Sequence, residues 1–427
     1  MAAPEPDSFP SQPPARKNPQ SSFSALRHRD FRLLWLGQIV SVTGSQMQSV
    51  AINWHVYLLT KSAFALGLVG LFKGVPIVLC SLMGGVVADA LDRRRLMITT
   101  QTVMLLSAAA LALATLAGLQ SVWPIYLLTA AASGATAFDI PARQALMPTL
   151  VPARDFPNAV SLGLMVFNVA MIVGPAIGGF LLASHGPAAV YGINAVSFVA
   201  VIAALAAMRT SGRTIEQTEQ ANRVSYGALK EGLAFVWRTP VIVQTMTLDF
   251  AATFFASATA LLPIFAAEIL NVGARGVGLL AAAPAVGSVL TALLIARSGG
   301  FRRQGRLVVW SVAVFGLATA AFGISRVFWF SLLMLAVTGA ADTVSTVLRQ
   351  TIRQLATPNY LRGRMTSINM VFFMGGPQLG ELEAGVVASL IGAPLSVVLG
   401  GAGSLLSAGI AAKKAKSLLT YEGTDNT

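Results

Sequence analysis

Five ionisable side chains lie inside long apolar stretches of this sequence, where a charge is unfavourable. They are Lys73, Asp249, Asp342, Glu381 and Glu383. Insertion scales give a cost of about 2.5–3.5 kcal/mol for a charge at the centre of a bilayer, so such residues indicate a functional site. A medium of low dielectric constant favours the neutral form of an acid, which suits reversible proton binding. These residues therefore predict ligand or proton binding within a membrane.

The elements that carry these residues are twelve apolar stretches. Most are about 20 residues or longer, which is enough for a helix to cross a hydrocarbon core of ~30 Å. The stretches are residues 31–59, 64–88, 96–119, 122–142, 157–184, 187–208, 240–267, 276–297, 307–324, 327–348, 365–390 and 393–411. The pattern predicts an all-α integral membrane protein that is a bundle of twelve transmembrane helices.

The basic residues predict the orientation of this bundle. Of the 30 lysines and arginines, 26 fall on one side, including Arg143, Arg349 and Arg353 just beyond predicted spans. Only Lys61, Arg275 and Arg326 fall on the other side, and Lys73 lies within a span. By the positive-inside rule the basic side is cytoplasmic. We therefore expect a multi-pass protein of the cell inner membrane with both termini in the cytoplasm.

Polar segments divide the chain into two halves of six spans. The proline-rich residues 1–23 predict a disordered cytoplasmic tail, residues 209–238 a cytoplasmic linker, and residues 413–427 a second cytoplasmic tail. The six-helix halves are then residues 24–208 and 239–412.

Internal similarity supports this division. Arg143 and Arg349 are 206 residues apart, and Gly67 and Gly278, each within a similar tripeptide, are 211 residues apart. Two parallel six-helix repeats with a binding site between them are typical of one large class of transporters.

Composition argues against several other classes of protein. The net charge of +13 comes from basic residues dispersed among short loops, so no basic face predicts nucleic-acid binding. One cysteine and three scattered histidines predict no metal site. The sequence contains neither a nucleotide-binding loop nor a nucleophile elbow, the motifs that would indicate an enzyme.

The loop between the second and third spans carries a recognisable motif. Gly85, Asp89, Arg93 and Arg94 match the pattern G-x-x-x-D-R-x-G-R-R, with Ala90 and Asp92 departing from it. In this loop the chain resembles the major facilitator superfamily. The resemblance implies a gate on the cytoplasmic side, with Asp89 near the start of span 11 at Arg364 and a loop arginine paired with Asp139. The alternative is a solvated basic loop.

The fifth span carries a second motif. Gly174, Pro175, Gly178 and Gly179 resemble the antiporter motif of the same superfamily, although Ser161 and Ala170 replace its upstream glycines. Small residues at these positions allow tight packing between the halves. The alternative is an ordinary Gly/Pro kink.

Two further segments, residues 137–152 and 361–385, resemble the exporter branch that contains enterobactin and macrolide exporters. This resemblance implies alternating access, small organic substrates such as siderophores or drugs, a proton gradient as the energy source without a cofactor, and a monomer.

The architecture of the superfamily suggests a role for three of the intramembrane charges, Lys73, Glu381 and Glu383. Spans 2 and 11 face each other in the superfamily, and Lys73 and Glu381 lie about 14 Å and 13 Å from the external ends of their spans. The matched depth predicts an external gate in which Lys73 pairs with Glu381 or Glu383. The alternative is that these side chains snorkel or line water independently.

The candidates for binding protons or substrate lie on other spans. Asp249, whose first-half counterpart is Gln38, and Asp342 are candidate proton sites, and Gln46 and Asn53 are candidate substrate contacts. The alternative for Asp249 is a structural hydrogen bond between helices.

The leading interpretation is a proton-coupled exporter. An importer or facilitator of the same fold, and a non-transporting assembly factor or sensor, remain open alternatives.

Overall fold

The computed structural model describes residues 23–118, 120–210, 233–297, 301, 303–358 and 361–421. Within these ranges, the side chains of residues 82–90, 362–364, 366–368 and 370–374 are not described. The predicted disordered tail up to residue 22, and residues 211–232 of the predicted linker, lie outside the described residues.

The first half consists of six long helices. They are α1 Arg29–Thr60, α2 Ala63–Ala90, α3 Arg93–Leu116, α4 Trp123–Leu150, α5 (156–185) and α6 (187–207). Helices α5 and α6 form one helical stretch except at Gly186, whose φ of 74° turns the chain. Positive φ is unfavourable for side chains other than glycine, which explains the glycine at this turn.

The second half repeats this arrangement. Its helices are α7 Pro240–Phe255, α8 Gly273–Arg297, α9 Gln304–Ile324, α10 Phe328–Ala356, α11 Arg362–Ile391 and α12 Ala393–Lys414. A short helix, α13 Lys416–Leu419, follows within the predicted C-terminal tail. Eight stretches among the described residues are long and apolar enough to cross a membrane, and one of them, Ala153–Ala207, contains two predicted spans. The predicted fold is confirmed.

The seventh span departs from a continuous helix. After α7 ends at Phe255, the chain continues through a 3₁₀ turn at Thr259–Leu261, a helical turn at Leu262–Ile264 and a π-helical turn at Phe265–Ile269. Most side chains in these turns are buried. Irregular backbone is tolerated at membrane depth when protein surrounds it, and π-helical turns are frequent at functional sites.

Helix packing within each half follows the same scheme. Helix α1 packs on the α5–α6 stretch and α2 on α4, whereas α7 packs on α11 and α12 and α8 on α10. The two halves meet where α2 packs on α11 and where α5 packs on α8.

Two glycine pairs make these crossings close. A Cβ added to Gly385 would lie 2.6 Å from the Cα of Gly67, and a Cβ added to Gly179 would lie 2.7 Å from the Cα of Gly278. Gly67 and Gly278 are 211 residues apart, and Gly179 and Gly385 are 206 residues apart. These are the offsets of the internal repeat, so the two crossings are equivalent under a pseudo-two-fold axis.

The bundle has two distinct sides. We call the side with the start of α1 and the end of α12 the termini side, and the side where Lys61 joins α1 to α2 the Lys61 side. On the Lys61 side one hydrophobic cluster contains buried residues of both halves. On the termini side each half has a cluster of its own. The bundle is therefore closed on the Lys61 side.

Candidate functional site

A buried ion pair joins two helices of the second half. Asp249 on α7 and Arg349 on α10 approach to 2.7 Å, and their side chains are only 6% and 2% exposed. Asp249 lies about 14 Å along α7 from the termini side. Of the predicted proton-site candidates, Asp249 therefore belongs to an ion pair rather than being an isolated acid.

Other side chains extend this pair into a network. Arg353 lies 3.8 Å from the second carboxylate oxygen of Asp249, and Arg349 lies 3.8 Å from Asp342. Arg353 also donates a hydrogen bond to Asn369 on α11. We call Asp249, Asp342, Arg349 and Arg353 the charge cluster. It contains two acids and two guanidinium groups, so its formal charges balance, which reduces the cost of burial.

Asp342 is more exposed than the other members of the charge cluster. Its side chain is 47% exposed although it lies halfway along α10. Thr346, one turn further along the helix, donates to its carboxylate at 3.4 Å and accepts from Arg349 at 3.0 Å. The charge cluster thus has one accessible carboxylate and one buried carboxylate.

The first half contains a related pair without the acid. Arg143 on α4 donates a hydrogen bond to Gln38 on α1. Arg143 is 206 residues before Arg349, and Gln38 is 211 residues before Asp249, so both pairs occupy equivalent positions. Gln38 and Asp249, which correspond in the sequence repeat as predicted, therefore also make equivalent contacts in the structure. Two copies of one structural pair exist, and only the second contains a titratable acid.

Three arginines lie within helices rather than in loops. The sequence places Arg143, Arg349 and Arg353 beyond the ends of spans, but α4 extends to Leu150 and α10 to Ala356. Arg349 and Arg353 are 1% and 4% exposed. Arg349 and Arg353 find oxygen atoms of Asp249 and Asn369 inside the protein, whereas the side chain of Arg143 is 26% exposed. A hydropathy pattern detects the charge of an arginine but not the partner residue that the arginine contacts elsewhere in the sequence.

The predicted pairing of Lys73 is not formed. Lys73 donates from Nζ to Ser49 Oγ on α1 at 3.1 Å, and among the described residues no carboxylate oxygen lies within 4.0 Å of it. Glu381 accepts from Thr259 at 3.2 Å, while Glu383 is partly buried and forms no ion pair within the described part of the chain. The depth estimate was adequate, since Lys73 and Glu381 both lie about 15 Å from the Lys61 side. The prediction that Lys73 lies on the face of α2 that contacts α11 was wrong.

The glycines of α2 explain this error. Gly67, Gly70 and Gly74 form the face that contacts α11. Successive helical residues are rotated by ~100°, so Lys73 lies beside this face rather than on it. Its side chain accordingly reaches α1.

A contact between the halves on the Lys61 side was not predicted. Tyr57 on α1 donates a hydrogen bond to Glu268, in the π-helical turn of the second half, at 2.7 Å. These two residues are 211 residues apart, which is the repeat offset. A residue that contacts its own counterpart lies at the pseudo-two-fold axis, so the repeat offset was the signal that would have found this pair.

The antiporter-like motif on α5 has two faces. Gly174 and Gly178 pack against Gln46 and Met47 of α1, within the same half. Gly179, together with the carbonyl oxygen of Pro175, packs against Gly278 of α8 in the other half. The interface between the halves therefore uses only part of the motif.

The candidate substrate contacts on α1 differ from each other. Gln46 packs against α5 as described above, whereas the side-chain oxygen of Asn53 is buried without a hydrogen-bond partner among the described residues. Asn53 lies one turn from Ser49, the acceptor of the Lys73 hydrogen bond.

The termini-side loop is described in part. Arg93 and Arg94 donate to the backbone oxygens of Ala145 and Ala206. Asp92, which departs from the family pattern, caps α3 by accepting from the backbone amides of Arg94 and Arg95. The side chains of Asp89 and Arg364 and the surroundings of Gly85 are not described.

Asp139, the expected partner of the loop, is a buried residue of α4. Its carboxylate accepts from Thr100 at 3.2 Å and from Gln101 at 3.0 Å, and lies 4.0 Å from Arg143. It therefore belongs to the first-half counterpart of the charge cluster.

Comparison with known proteins decides the family. Residues 20–426 match a family model described as transmembrane secretion effector. The chain belongs to this family of major facilitator transporters. Members of the family and the relatives below are transporters rather than enzymes.

Two similar relatives are the enterobactin exporters EntS of Salmonella choleraesuis strain SC-B67 and of Escherichia coli O81 strain ED1a. Each is 24% identical over 380 residues, which cover 89% of this chain and 90% of the relative. The chain is thus similar to an exporter over nearly its full length.

Solved structures show the same fold at low identity. A bacterial homologue of the iron transporter ferroportin, in an inward-facing state, has a TM-score of 0.66 and 16% identity, with 91% of this chain and 99% of that chain covered. The inward-open xylose transporter XylE from E. coli has a TM-score of 0.65 and 13% identity, with 95% and 98% covered.

Proposed function

We propose that this transporter is a secondary active exporter that moves small organic molecules out of the cytoplasm in exchange for protons. The similarity to enterobactin exporters supports the outward direction and makes siderophores or drug-like molecules the candidate substrates. The distribution of basic residues supports a cytoplasmic termini side in the inner membrane. The Lys61 side then faces outward, and the structure corresponds to a state closed to the outside.

The observation that carries the proposed proton coupling is the charge cluster. Protonation of one carboxylate would leave it with a net charge of +1 in a medium of low dielectric constant, which is unfavourable without water or a new partner. Proton binding is thus linked to a change in how α7 lies against α10. Asp342 is the accessible carboxylate through which a proton enters, and Asp249 is the one that holds the two helices together.

The first half shows what the fold needs without proton binding. Gln38 and Arg143 hold α1 against α4 by a hydrogen bond between a neutral amide and a guanidinium group. Arg143 also keeps a carboxylate neighbour on its own helix, Asp139 at 4.0 Å, just as Arg349 keeps Asp342 at 3.8 Å, so an amide at position 249 is compatible with the same packing. We infer that its carboxylate serves coupling.

Vesicles of opposite orientation test the direction and the coupling together. Inside-out and right-side-out membrane vesicles carrying the transporter would be energised and given enterobactin or a macrolide. We expect accumulation in inside-out vesicles only, abolished by a protonophore. Accumulation in right-side-out vesicles would instead establish an importer. Absence of flux for both substrates and orientations, with correctly folded protein, would favour a non-transporting role.

A matched variant separates coupling from folding. Asp249→Gln gives the second half the amide–guanidinium pair that the first half already has. We expect this variant to insert and fold but to lose proton-driven accumulation. Gln38→Asn, which shortens the amide of the first half without changing its charge, is the control and should retain proton coupling.

A further inference from the structure

Lys73 places an ammonium group at membrane depth with no acidic partner among the described residues. It lies about 15 Å from the Lys61 side of α2 and is partly buried. Its described hydrogen bond goes to Ser49, a neutral hydroxyl, at 3.1 Å. Within the described part of the chain no carboxylate lies within 4.0 Å of Nζ. Intramembrane cations normally have a partner, so an anionic group would be a favourable partner for this ammonium group.

The nearest acid at the same depth is engaged elsewhere. One oxygen of Glu381 accepts from Thr259 at 3.2 Å. The other oxygen is buried against Gly70 of α2, one turn before Lys73, without a hydrogen-bond partner in the described residues. The carboxylate thus lies on the α11 face of α2, whereas the ammonium group lies on the α1 face.

Two neutral polar side chains whose oxygens have no described partner lie on the helices that contact α2. Asn53 is one turn from Ser49 on α1, and its side-chain oxygen has no described partner. Gln378, one turn before Glu381 on α11, packs against Gly74 beside Lys73, and its side-chain oxygen also lacks a described partner. Unpaired buried acceptors favour a ligand that donates hydrogen bonds.

We propose that Lys73 binds an anionic group of the transported molecule, so that the substrate class is organic anions carrying hydroxyl or N–H donors. This inference rests on the proposed transport function. Ser49 orients the ammonium group, and Asn53, on the same helix as Ser49, accepts a hydrogen bond from a donor of the ligand. The carboxylate of Glu381 lies against Gly70, one turn before Lys73. It repels the anion and limits how tightly the anion binds, which suits release during transport.

Direct binding tests this assignment without a proton gradient. Purified protein in lipid nanodiscs would be titrated with benzoate, benzyl alcohol and benzylamine, which share a ring but differ in charge, and binding would be measured by saturation-transfer NMR. We expect benzoate to bind best. Loss of a charge-assisted hydrogen bond predicts that Lys73→Met weakens benzoate binding about tenfold or more. The same substitution should leave binding of benzyl alcohol nearly unchanged.

Two further variants sharpen the test. Lys73→Arg retains the charge and should retain the preference for benzoate. Glu381→Gln removes the nearby negative charge and should strengthen benzoate binding. Equal binding of benzoate and benzyl alcohol to the unmodified protein, or benzoate binding unaffected by Lys73→Met, would overturn the proposal. Thermal unfolding of each variant confirms that it is folded.

Different results would refute the proposal of proton-coupled export and the proposal of an anion site at Lys73. Preserved anion binding without proton-driven flux would refute proton-coupled export but not the anion site. Proton-driven export of neutral and anionic substrates alike, with no effect of Lys73→Met on anion binding, would refute the anion site alone.

Discussion

Tyr57 donates a hydrogen bond to Glu268, the residue that occupies the position of Tyr57 in the second half of the chain. The contact lies at the pseudo-two-fold axis on the Lys61 side. The glycine crossings Gly67–Gly385 and Gly179–Gly278 flank it symmetrically. Closure of this side therefore combines one polar contact at the axis with two close backbone contacts away from it. We expect this side to open when the substrate leaves.

Removal of the polar contact should favour opening of the Lys61 side. A hydrogen bond to a charged group contributes about 1.5–3 kcal/mol, so Tyr57→Phe should shift the equilibrium between closed and open states about tenfold. Spin labels at Ser121 and Arg326, in a Cys80→Ser background, would report the distance between the halves on this side. We expect a larger population of long distances.

Tyr191→Phe is the matched control for this measurement. The hydroxyl of Tyr191 contacts His55 at 3.2 Å within the same half. The substitution removes a buried tyrosine hydroxyl whose contact lies within one half, so the polar contact between the halves is unchanged. Identical distance distributions for Tyr57→Phe and the unmodified protein would contradict the role of the axis contact.

The glycine crossings predict a strong dependence on side-chain size. In Gly179→Ala the new Cβ would lie 2.7 Å from the Cα of Gly278, so the helices must separate. We expect destabilisation of about 1–3 kcal/mol. Gly192→Ala is the control, because an added Cβ there meets no atom within 4 Å. Thermal unfolding in detergent should show a loss of stability for Gly179→Ala and an unchanged or slightly higher midpoint for Gly192→Ala.

The fold was predictable because its physical signals are local. Most of the apolar stretches are long enough to span a bilayer on their own, and the offsets of Arg143/Arg349 and Gly67/Gly278, 206 and 211 residues, indicate two repeats. The identity of helix faces was less accessible, because it depends on which neighbour each helix contacts. Lys73 illustrates this limit, since its depth was predictable and its partner Ser49 was not.

The charge cluster was predictable only in part. Asp249 and Asp342 are recognisable as acids within apolar stretches, but Arg349 and Arg353 follow the last apolar residues of their span and read as loop residues. Their burial depends on Asp249, about 100 residues away in the sequence. A pattern confined to one segment does not contain that information.

The proposed orientation predicts the outcome of reporter fusions. A phosphatase that is active only outside the cytoplasm should be active when fused after Lys61 or Arg326 and inactive when fused after Arg209. The physical reason is the asymmetry of basic residues between the two sides. Activity of the Arg209 fusion together with inactive Lys61 and Arg326 fusions would reverse the direction assigned to the Lys61 side.

The buried ion pair predicts different costs for different substitutions of Asp249. Asp249→Leu leaves the buried Arg349 without its closest acid and should destabilise the protein by about 3–5 kcal/mol. Asp249→Gln should cost less than Asp249→Leu, because its amide oxygen can still accept from Arg349 as Gln38 does from Arg143, although the charge cluster then carries a net charge of +1. Thermal unfolding of both variants in the same detergent makes the comparison. Equal destabilisation would mean that the carboxylate is needed for packing itself.

The most direct test of proton-coupled export is substrate-driven proton movement in proteoliposomes that hold a pH-sensitive dye. For the unmodified protein, we predict that adding substrate on the termini side drives protons across the membrane in the opposite direction. For Asp249→Gln, we predict that substrate still binds but moves no protons. Proton movement by Asp249→Gln equal to that of the unmodified protein would contradict the assignment of coupling to the Asp249–Arg349 pair.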